Sequence, residues 1–315
     1  MLSFLFLLSF SYAKECTWDI AEDATTIDAN HFKDCDQLTI EDINLNNIVT
    51  IGDSSFKGCT ALTGTLNIPK SVTSIGNSAF SLTGISTLNF EAESECKTIG
   101  SLAFAECENL ASITLPDSLL AISSQTFYKC VKLSSFSLGS DSKCQSIGES
   151  AFADCEELTQ ISFSNNLKSI GKNAFNNCKK LSSITFPSDD AFEEIGEGAF
   201  AECPITSLSI SDSVKKIGAM AFAGCEGITT LTLGENIEEI GASAFENCSE
   251  IHSIITIPSS VRAIEPRTFY NCKGIRGLYL NDNLLSIGDE AFYNCIYLGY
   301  IYNQAYDNKL VIPDS

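Results

Sequence analysis

Residues 147–163 read IGESAFADCEELTQISF, and the pattern of this stretch recurs from residue 27 almost to residue 303. The anchor of each copy is an isoleucine, and successive anchors lie 22–25 residues apart. The twelve anchors are Ile27, Ile51, Ile75, Ile99, Ile122, Ile147, Ile170, Ile195, Ile217, Ile240, Ile264 and Ile287. A phenylalanine stands five residues after every anchor, and a cysteine stands eight residues after eleven of the twelve. A repeat of this period is the sequence signature of a solenoid.

Each copy contains a short segment with the alternation of a β-strand. In the copy that begins at Ile99, the segment Ile113-Thr114-Leu115 alternates apolar and polar side chains, which is typical of a half-buried strand. Pro116 follows and has no N–H group to donate to a ladder, so we expect the strand to end there. One copy is too short to bury a core alone. Successive strands are therefore expected to stack along the solenoid.

The segment around each phenylalanine predicts the other side of the repeat. Ala103, Phe104 and Cys107 have the spacing of one face of a short helical turn. Glycine follows the anchor in nine of the twelve copies, which indicates a turn that requires backbone freedom. The predicted fold is an α/β-type repeat solenoid. It is a horseshoe or rod with a parallel concave sheet and short helical or turn segments on its convex side.

The pattern LxxIxLPxSLxxIGxxAFxxC resembles the leucine-rich repeats of the BspA-like (treponemal-type) surface antigens. The resemblance covers residues 27 to about 303, and the AFxxC segment makes it specific to this subclass. It implies an extracellular, non-enzymatic protein of adhesion or recognition, of the kind found in oral bacteria and anaerobic protozoan parasites. The fold transfers well from such a resemblance and the ligand does not, because function belongs to sites built on a fold.

The residues outside the repeats divide into three segments. Residues 1–13 are expected to be a secretory signal peptide, with an apolar run and small residues before a cut at Lys14; a buried N-terminal strand is the alternative. Residues 14–26 are expected to cap the first repeat. Residues 27–303 are expected to form one solenoid of twelve repeats, and residues 304–315 a C-terminal cap or partial repeat.

The predicted location is secreted or extracellular, with retention at the cell surface as an option. No apolar segment of about 20 residues follows the repeats, so the sequence predicts no transmembrane segment and no lipid-anchor tail.

Fourteen cysteines in a secreted chain would ordinarily suggest disulfides. Position argues for buried free thiols, because eleven cysteines share one slot and stacked side chains lie about 4.8 Å apart, whereas disulfide Cβ atoms lie about 3.8 Å apart. Cys96 and Cys144 occupy another core slot. Cys16 is the candidate for a disulfide, with Cys35, and a free Cys16 is the alternative. With no CxxC pair and two histidines, no metal site and no cofactor is predicted.

The formal charge of −21 has the wrong sign for nucleic acid or an anionic membrane surface as partner. Two interpretations remain: attraction to a basic partner, or a solvated convex face that keeps a long rod soluble. His31 and His252 lack a nucleophile with an acid at the same repeat, and no phosphate loop or dinucleotide motif occurs. The chain is therefore predicted not to be an enzyme.

The polar strand positions predict a binding surface, because alternate side chains of a strand face opposite sides of a sheet. One expected column is Thr87, Ser112, Ser135, Gln160, Ser183, Ser207, Thr230, Ser253, Gly277 and Tyr300. The other is Asn89, Thr114, Ser137, Ser162, Thr185, Ser209, Thr232, Thr256, Tyr279 and Tyr302. All of these except Thr87, Asn89, Ser253, Thr256 and Gly277 are candidate ligand-binding residues. Neither column contains a charged residue.

Two functions fit this surface. The first is recognition of, and adhesion to, a host or extracellular protein or glycan through the concave face. The second is a self-associating structural coat, joined through the solenoid ends and without a host ligand. Serine and threonine also make acceptable ladders on a solvated sheet, with no ligand at all. The tyrosines, seven of nine of which lie at or beyond residue 270, fit either a binding patch or a cap over the last repeat.

Overall fold

The computed structural model describes residues 16–187 and 191–303. The expected signal peptide (1–13) and the expected C-terminal cap (304–315) lie outside the described residues. Within them the chain forms twenty-three strands joined by turns, wound into a parallel-strand solenoid. None of the described residues belongs to a helix long and apolar enough to cross a membrane.

Each turn of the solenoid contains one short strand that ends on an anchor isoleucine. The short strands are β1 (Thr26–Ile27), β2 (Thr50–Ile51), β4 (Ser74–Ile75), β6 (Thr98–Ile99), β8 (Ala121–Ile122), β10 (Ser146–Ile147), β12 (Ser169–Ile170), β14 (Glu194–Ile195), β16 (Lys216–Ile217), β18 (Glu239–Ile240), β20 (Ala263–Ile264) and β22 (Ser286–Ile287). Paired neighbours are parallel and in register, so anchor lies beside anchor, as Ile147 does beside Ile170. The anchors of β1 to β20 are buried.

A second, mostly longer strand lies on another side of each turn from the second turn onward. These long strands are β3 (Gly64–Ile68), β5 (Ile85–Phe90), β7 (Ser112–Ile113), β9 (Ser135–Ser137), β11 (Gln160–Ser162), β13 (Ser183–Thr185), β15 (Ser207–Ser209), β17 (Thr230–Thr232), β19 (Ile254–Thr256), β21 (Gly277–Leu280) and β23 (Tyr300–Asn303). They pair in parallel within four groups, β3-β5-β7, β9-β11-β13, β15-β17 and β19-β21-β23. The predicted parallel sheet is thus present.

The predicted helical segments are wrong for the described residues, which contain no helix. Ala103, Phe104 and Cys107 are buried as expected, but their backbone forms consecutive turns. Alternate N–H groups of this segment donate to the next turn: those of Met220, Phe222 and Gly224 reach its carbonyls at 2.8–2.9 Å. A helix would keep these bonds within one segment. The turn segment therefore acts as a third ladder that joins neighbouring turns.

This ladder requires a left-handed backbone at two places in every turn, three and seven residues after the anchor. All non-glycine residues with positive φ except Glu93 occupy these two positions, and Gly58, Gly198 and Gly224 fill the remaining ones. Three residues without positive φ separate the two left-handed residues of a turn. The N–H groups of both left-handed residues, and that of the phenylalanine midway between them, point toward the next turn. Met220 is such a residue, with φ of 56° and half of its side-chain surface exposed.

Phenylalanine rings form the centre of the core. The twelve phenylalanine rings that stand five residues after the anchors stack in one column from Phe32 to Phe292, and Trp18 continues the column beyond Phe32. Successive ring centroids are 4.9–5.6 Å apart, with interplanar angles of 1–19°. Trp18 comes from the expected N-terminal cap, and its ring covers the phenylalanine that begins the stack. This contact closes the apolar column at that end.

The glycines that follow the anchors are needed for space and not for backbone freedom. Gly148 has no positive φ, but a Cβ atom on it would lie 2.6 Å from the backbone nitrogen of Ser124 in the preceding turn. Real Cβ atoms do not approach backbone this closely. The sequence-based explanation is therefore corrected: glycine lets the backbones of adjacent turns touch.

Charges enter the short-strand ladder only where they can alternate in sign. Glu194, Lys216 and Glu239 are in register on consecutive strands β14, β16 and β18. The Lys216 ammonium lies 3.2 Å from the Glu239 carboxylate. Like charges opposite each other would repel at this spacing, so the order acid, base, acid is what the stack tolerates.

The repeated cysteines are hydrogen-bond donors as well as small apolar side chains. Ten cysteines of this slot donate a hydrogen bond from Sγ to the phenylalanine carbonyl of the preceding turn, at 3.0–3.3 Å. They are Cys59, Cys107, Cys130, Cys155, Cys178, Cys203, Cys225, Cys248, Cys272 and Cys295. Thr83, which replaces cysteine in one turn, keeps a hydroxyl donor there but bonds within its own turn, to the carbonyl of Phe80 at 2.9 Å. The donor role explains why the one substitute is threonine and not valine.

Two outcomes for the cysteines follow from this geometry. Twelve cysteines form no disulfide, and all of these are buried except the half-buried Cys295, as the sequence predicts. Cys35 is not free: it forms a disulfide with Cys16, with Cα atoms 5.3 Å apart. Cys35 lies in the first turn, where no preceding turn offers a phenylalanine carbonyl. Its sulfur is therefore available to fasten residue 16 to the solenoid.

Burial raises the pKa of the thiols in this column. The pKa of Cys107 rises to about 11, and that of Cys130 rises well above the ordinary value of 9.0, in both cases chiefly because the apolar interior disfavours a thiolate. A protonated thiol is also the form that can donate to the phenylalanine carbonyl.

Replacement of Met220 by glycine is expected to stabilise the protein by about 0.5–1 kcal/mol, because an ordinary side chain in the left-handed region costs about 1–2 kcal/mol that glycine does not incur. The matched control is Ala219→Gly, at a neighbouring half-buried residue without positive φ. It should instead destabilise by about 0.5–1 kcal/mol. Urea denaturation measures both, and equal destabilisation by the two changes would contradict the left-handed assignment.

The thiol column should make the protein lose stability in alkali. Below about pH 9 the thiols are protonated in both folded and unfolded chains; as pH rises toward 11, only the unfolded chain ionises them. Each such thiol lowers the free energy of unfolding by about 1.4 kcal/mol per pH unit. Urea denaturation between pH 9 and 11, without oxygen, should show a steep fall in the free energy of unfolding. A Cys107→Thr/Cys130→Thr variant, which copies Thr83, should fall less steeply, and parallel slopes would show that the thiols are not the cause.

Candidate functional site

The candidate site is the outward side of the long strands, which we call the sheet face. Its side chains stand in the two predicted columns, because the strand registers match the prediction at Gln160 beside Ser183 and at Ser162 beside Thr185. All fifteen candidate residues lie on long strands except Thr114, which directly follows β7. They are exposed except Ser162, which is half-buried. The structure thus brings them onto one surface.

One position of the predicted columns is wrong. Ile254, and not Ser253, pairs with Gly277 and occupies the sheet face, where its side chain is 43% exposed. The turn that begins at Ile240 has one residue more before its strand than the turn at Ile217, and a shift of one residue exchanges the faces of a strand. The Ser253 hydroxyl is consequently buried and has no hydrogen-bond partner among the described residues.

Hydroxyl groups on the sheet face bond to one another across strands. The hydroxyls of Ser137 and Ser162 are 2.7 Å apart, and those of Ser207 and Thr230 are 2.9 Å apart. Neither column includes a charged residue, although the protein carries a formal charge of −21. The sheet face is therefore a neutral, hydroxyl-lined strip on an acidic protein.

Three tyrosines extend the sheet face at β21 and β23. Tyr279, Tyr300 and Tyr302 are 39–54% exposed, and the rings of Tyr279 and Tyr302 meet edge to face with centroids 5.5 Å apart. The Tyr300 ring lies over Gly277 and fills the space that a side chain there would take. These rings form an aromatic platform beside the exposed Ile254. A second tyrosine pair, Tyr270 and Tyr293, is stacked and lies on the turn segment instead of the sheet face.

The tyrosines coincide with a change in surface charge. Residues 16–249 carry 32 acidic and 13 basic residues, whereas residues 250–303 carry five and four. All three arginines of the chain, Arg262, Arg267 and Arg276, fall in the second segment. Arg267 stacks over the ring of Tyr270 at 4.1 Å. Tyrosine and arginine are enriched where proteins bind one another, so this end of the solenoid has the composition of an interface.

Each of the two histidines has an acid close by. His31 has an acid partner that the sequence did not indicate, since its Nε2 atom lies 2.6 Å from the Asp19 carboxylate of the N-terminal segment. His252 lies 3.8 Å from Glu250 on the surface. Across residues 16–187 and 191–303, no three His, Cys, Asp or Glu side chains are grouped to hold a metal ion.

Several proteins of known structure resemble this chain. A leucine-rich repeat protein from Bacteroides ovatus is 25% identical, with a TM-score of 0.66 over 94% of this chain and 83% of that one. The pneumococcal vaccine antigen PcpA is 21% identical, with a TM-score of 0.52 over 82% of this chain and 75% of that one, which shows the fold alone. No curated protein is similar enough to count as a relative.

The repeats themselves match a family model. The model of the BspA type leucine rich repeat region matches in six copies, over residues 9–95, 86–192 and 193–309. The family suggests a role in protein interaction, and no catalytic family is indicated. The match spans most of the chain and agrees with the parallel solenoid and with the resemblance of the repeat pattern. The chain belongs to the BspA-type leucine-rich repeat family.

Proposed function

We propose that this chain is a secreted or surface-displayed recognition protein that binds a host or extracellular protein through the sheet face. The observation that carries the proposal is the uncharged sheet face, which ends in an exposed platform of three tyrosines on a protein of charge −21. Hydroxyl groups adapt to varied hydrogen-bond partners, and tyrosine adds contact area with a polar tip. A glycan is the other ligand class that such a surface fits.

The Cys16–Cys35 disulfide supports an extracellular location, because disulfides persist in oxidising compartments. The expected signal peptide in residues 1–13 is part of the same proposal. The vaccine antigen among the similar structures is consistent with display to a host.

The proposal is tested with labelled residues 14–315 and a Thr185→Glu/Ser209→Glu/Thr232→Glu variant, which places three like charges on adjacent exposed positions of β13, β15 and β17. Binding is measured to epithelial cells and to immobilised extracellular-matrix proteins. We expect the variant to lose binding by about tenfold or more, because each buried unpaired carboxylate at an interface is costly.

The matched control is Ser140→Glu/Asn236→Glu/Ser260→Glu, which adds the same charge at exposed residues of the loops after long strands. It should bind as the unchanged protein does. Equal binding by the sheet-face variant, with unaltered circular dichroism, would remove the sheet face as the site. No binding by any of the proteins, together with oligomers that grow with concentration, would favour the structural coat instead.

A further inference from the structure

The sheet face contains a cavity of about 500 Å³ between the ends of β5 and β9. Its floor is apolar and is formed by Phe90, Ile113 and Leu115, which are all half-buried. The corresponding middle residues of the strands on either side, Leu88 and Phe136, are buried. The repeat therefore leaves part of its core layer open to solvent at β7.

The opening follows from a break in the sheet. Strand β7 contains two residues, and it pairs with β5 but belongs to a different sheet from β9. Pro116, which follows closely, lacks the N–H group that could extend the pairing. The exposed hydroxyls of Ser135 and Ser137 on β9 form the opposite wall.

The rim of the cavity is acidic. Glu91 and Glu93 come from the loop after β5, and Asp117 comes from the loop after β7. The Glu91 carboxylate is held in place by the backbone N–H group of Lys70 at 3.0 Å. None of the described residues that line the cavity is a lysine or arginine. The three carboxylates are also not grouped to bind a metal ion, within the part of the chain that the structure describes.

We infer that this cavity receives a lysine or arginine side chain of the protein partner, an inference that rests on the proposed function of the sheet face. The apolar floor matches the methylene stem of such a side chain, and the carboxylates on the rim match its charged end. A neutral or acidic side chain would leave the carboxylates without a partner when the cavity is covered. The net charge of −19 over residues 16–249 would attract a basic partner to this part of the solenoid.

The test supplies a competing cation from the chain itself. Ser135→Lys places an ammonium group on the cavity wall, and Asn236→Lys places the same group at an exposed residue of the loop after β17, outside the cavity and outside both columns. The probe is a fluorescein-labelled octalysine peptide, and its binding is followed by fluorescence anisotropy in 0.15 M salt. We expect Ser135→Lys to weaken octalysine binding by about tenfold and Asn236→Lys by less than about twofold, since nearby charge-assisted contacts are lost only in the first.

A second pair of variants tests the carboxylates on the rim by removing negative charge, without introducing a lysine. Glu93→Gln/Asp117→Asn removes two carboxylates from the cavity, and Glu235→Gln/Glu238→Gln removes two exposed ones elsewhere. The cavity pair should weaken octalysine binding and the control pair should leave it nearly unchanged. An acetylated octalysine peptide should not bind.

Equal weakening within each matched pair would mean general attraction to an acidic protein and would overturn the inference, as would the absence of octalysine binding. The proposed function is judged separately. The Thr185→Glu/Ser209→Glu/Thr232→Glu variant could lose matrix-protein binding while the cavity variants bind octalysine as their controls do. In that case the cavity inference fails and the proposed role of the sheet face is retained. If the triple variant also binds matrix proteins as the unchanged protein does, the cavity inference and the proposed role of the sheet face both fail.

Discussion

Every turn of this solenoid must place its groups directly beside the same groups of the next turn, about 5 Å away. The phenylalanine rings show the constraint most clearly, since their centroids repeat at 4.9–5.6 Å from Phe32 to Phe292. The anchor isoleucines, the glycines and the thiol donors satisfy the same requirement in three chemical forms: apolar contact, close backbone approach and a hydrogen bond. Each is satisfied only by the adjacent turn, so none of them stabilises a turn in isolation.

The same constraint limits where charge can be placed. A column of identical charges at this spacing would repel along its whole length, whereas a column of hydroxyls can bond to itself. Acids therefore collect in the loops, and the ladder admits charge only as the alternation of Glu194, Lys216 and Glu239. The recognition proposed for the sheet face would consequently rely on hydroxyls, aromatic rings and acids that reach in from the loops.

The sequence is sufficient to predict the structural features that every turn repeats. It is insufficient to predict where single turns depart from them. The anchor positions, the strands and the burial of the cysteines follow from spacing. Ala103, Phe104 and Cys107 do not reveal their backbone, because a helical turn and a turn segment with left-handed residues at two positions bury the same side chains. Ser253 and Ile254 could not be distinguished, since a one-residue difference lies within the normal variation of repeat length. The opening at β7 is equally hidden, because Ile113 and Leu115 conform to the repeat pattern and only the break in the sheet between β7 and β9 exposes them.

The thiol hydrogen bonds give the stack a direction. A turn that donates from this cysteine presents a phenylalanine carbonyl on one side and a sulfur donor on the other, so it joins its neighbours in one orientation only. The first turn has no neighbour to accept from Cys35, and that sulfur is the one engaged by Cys16. A duplicated turn would therefore fit anywhere after the first turn without requiring a further disulfide. Gene duplication within the repeats would lengthen the spacing between the acidic cavity and the tyrosine platform by one turn at a time, and so adjust the reach of the surface while leaving both of its ends unaltered.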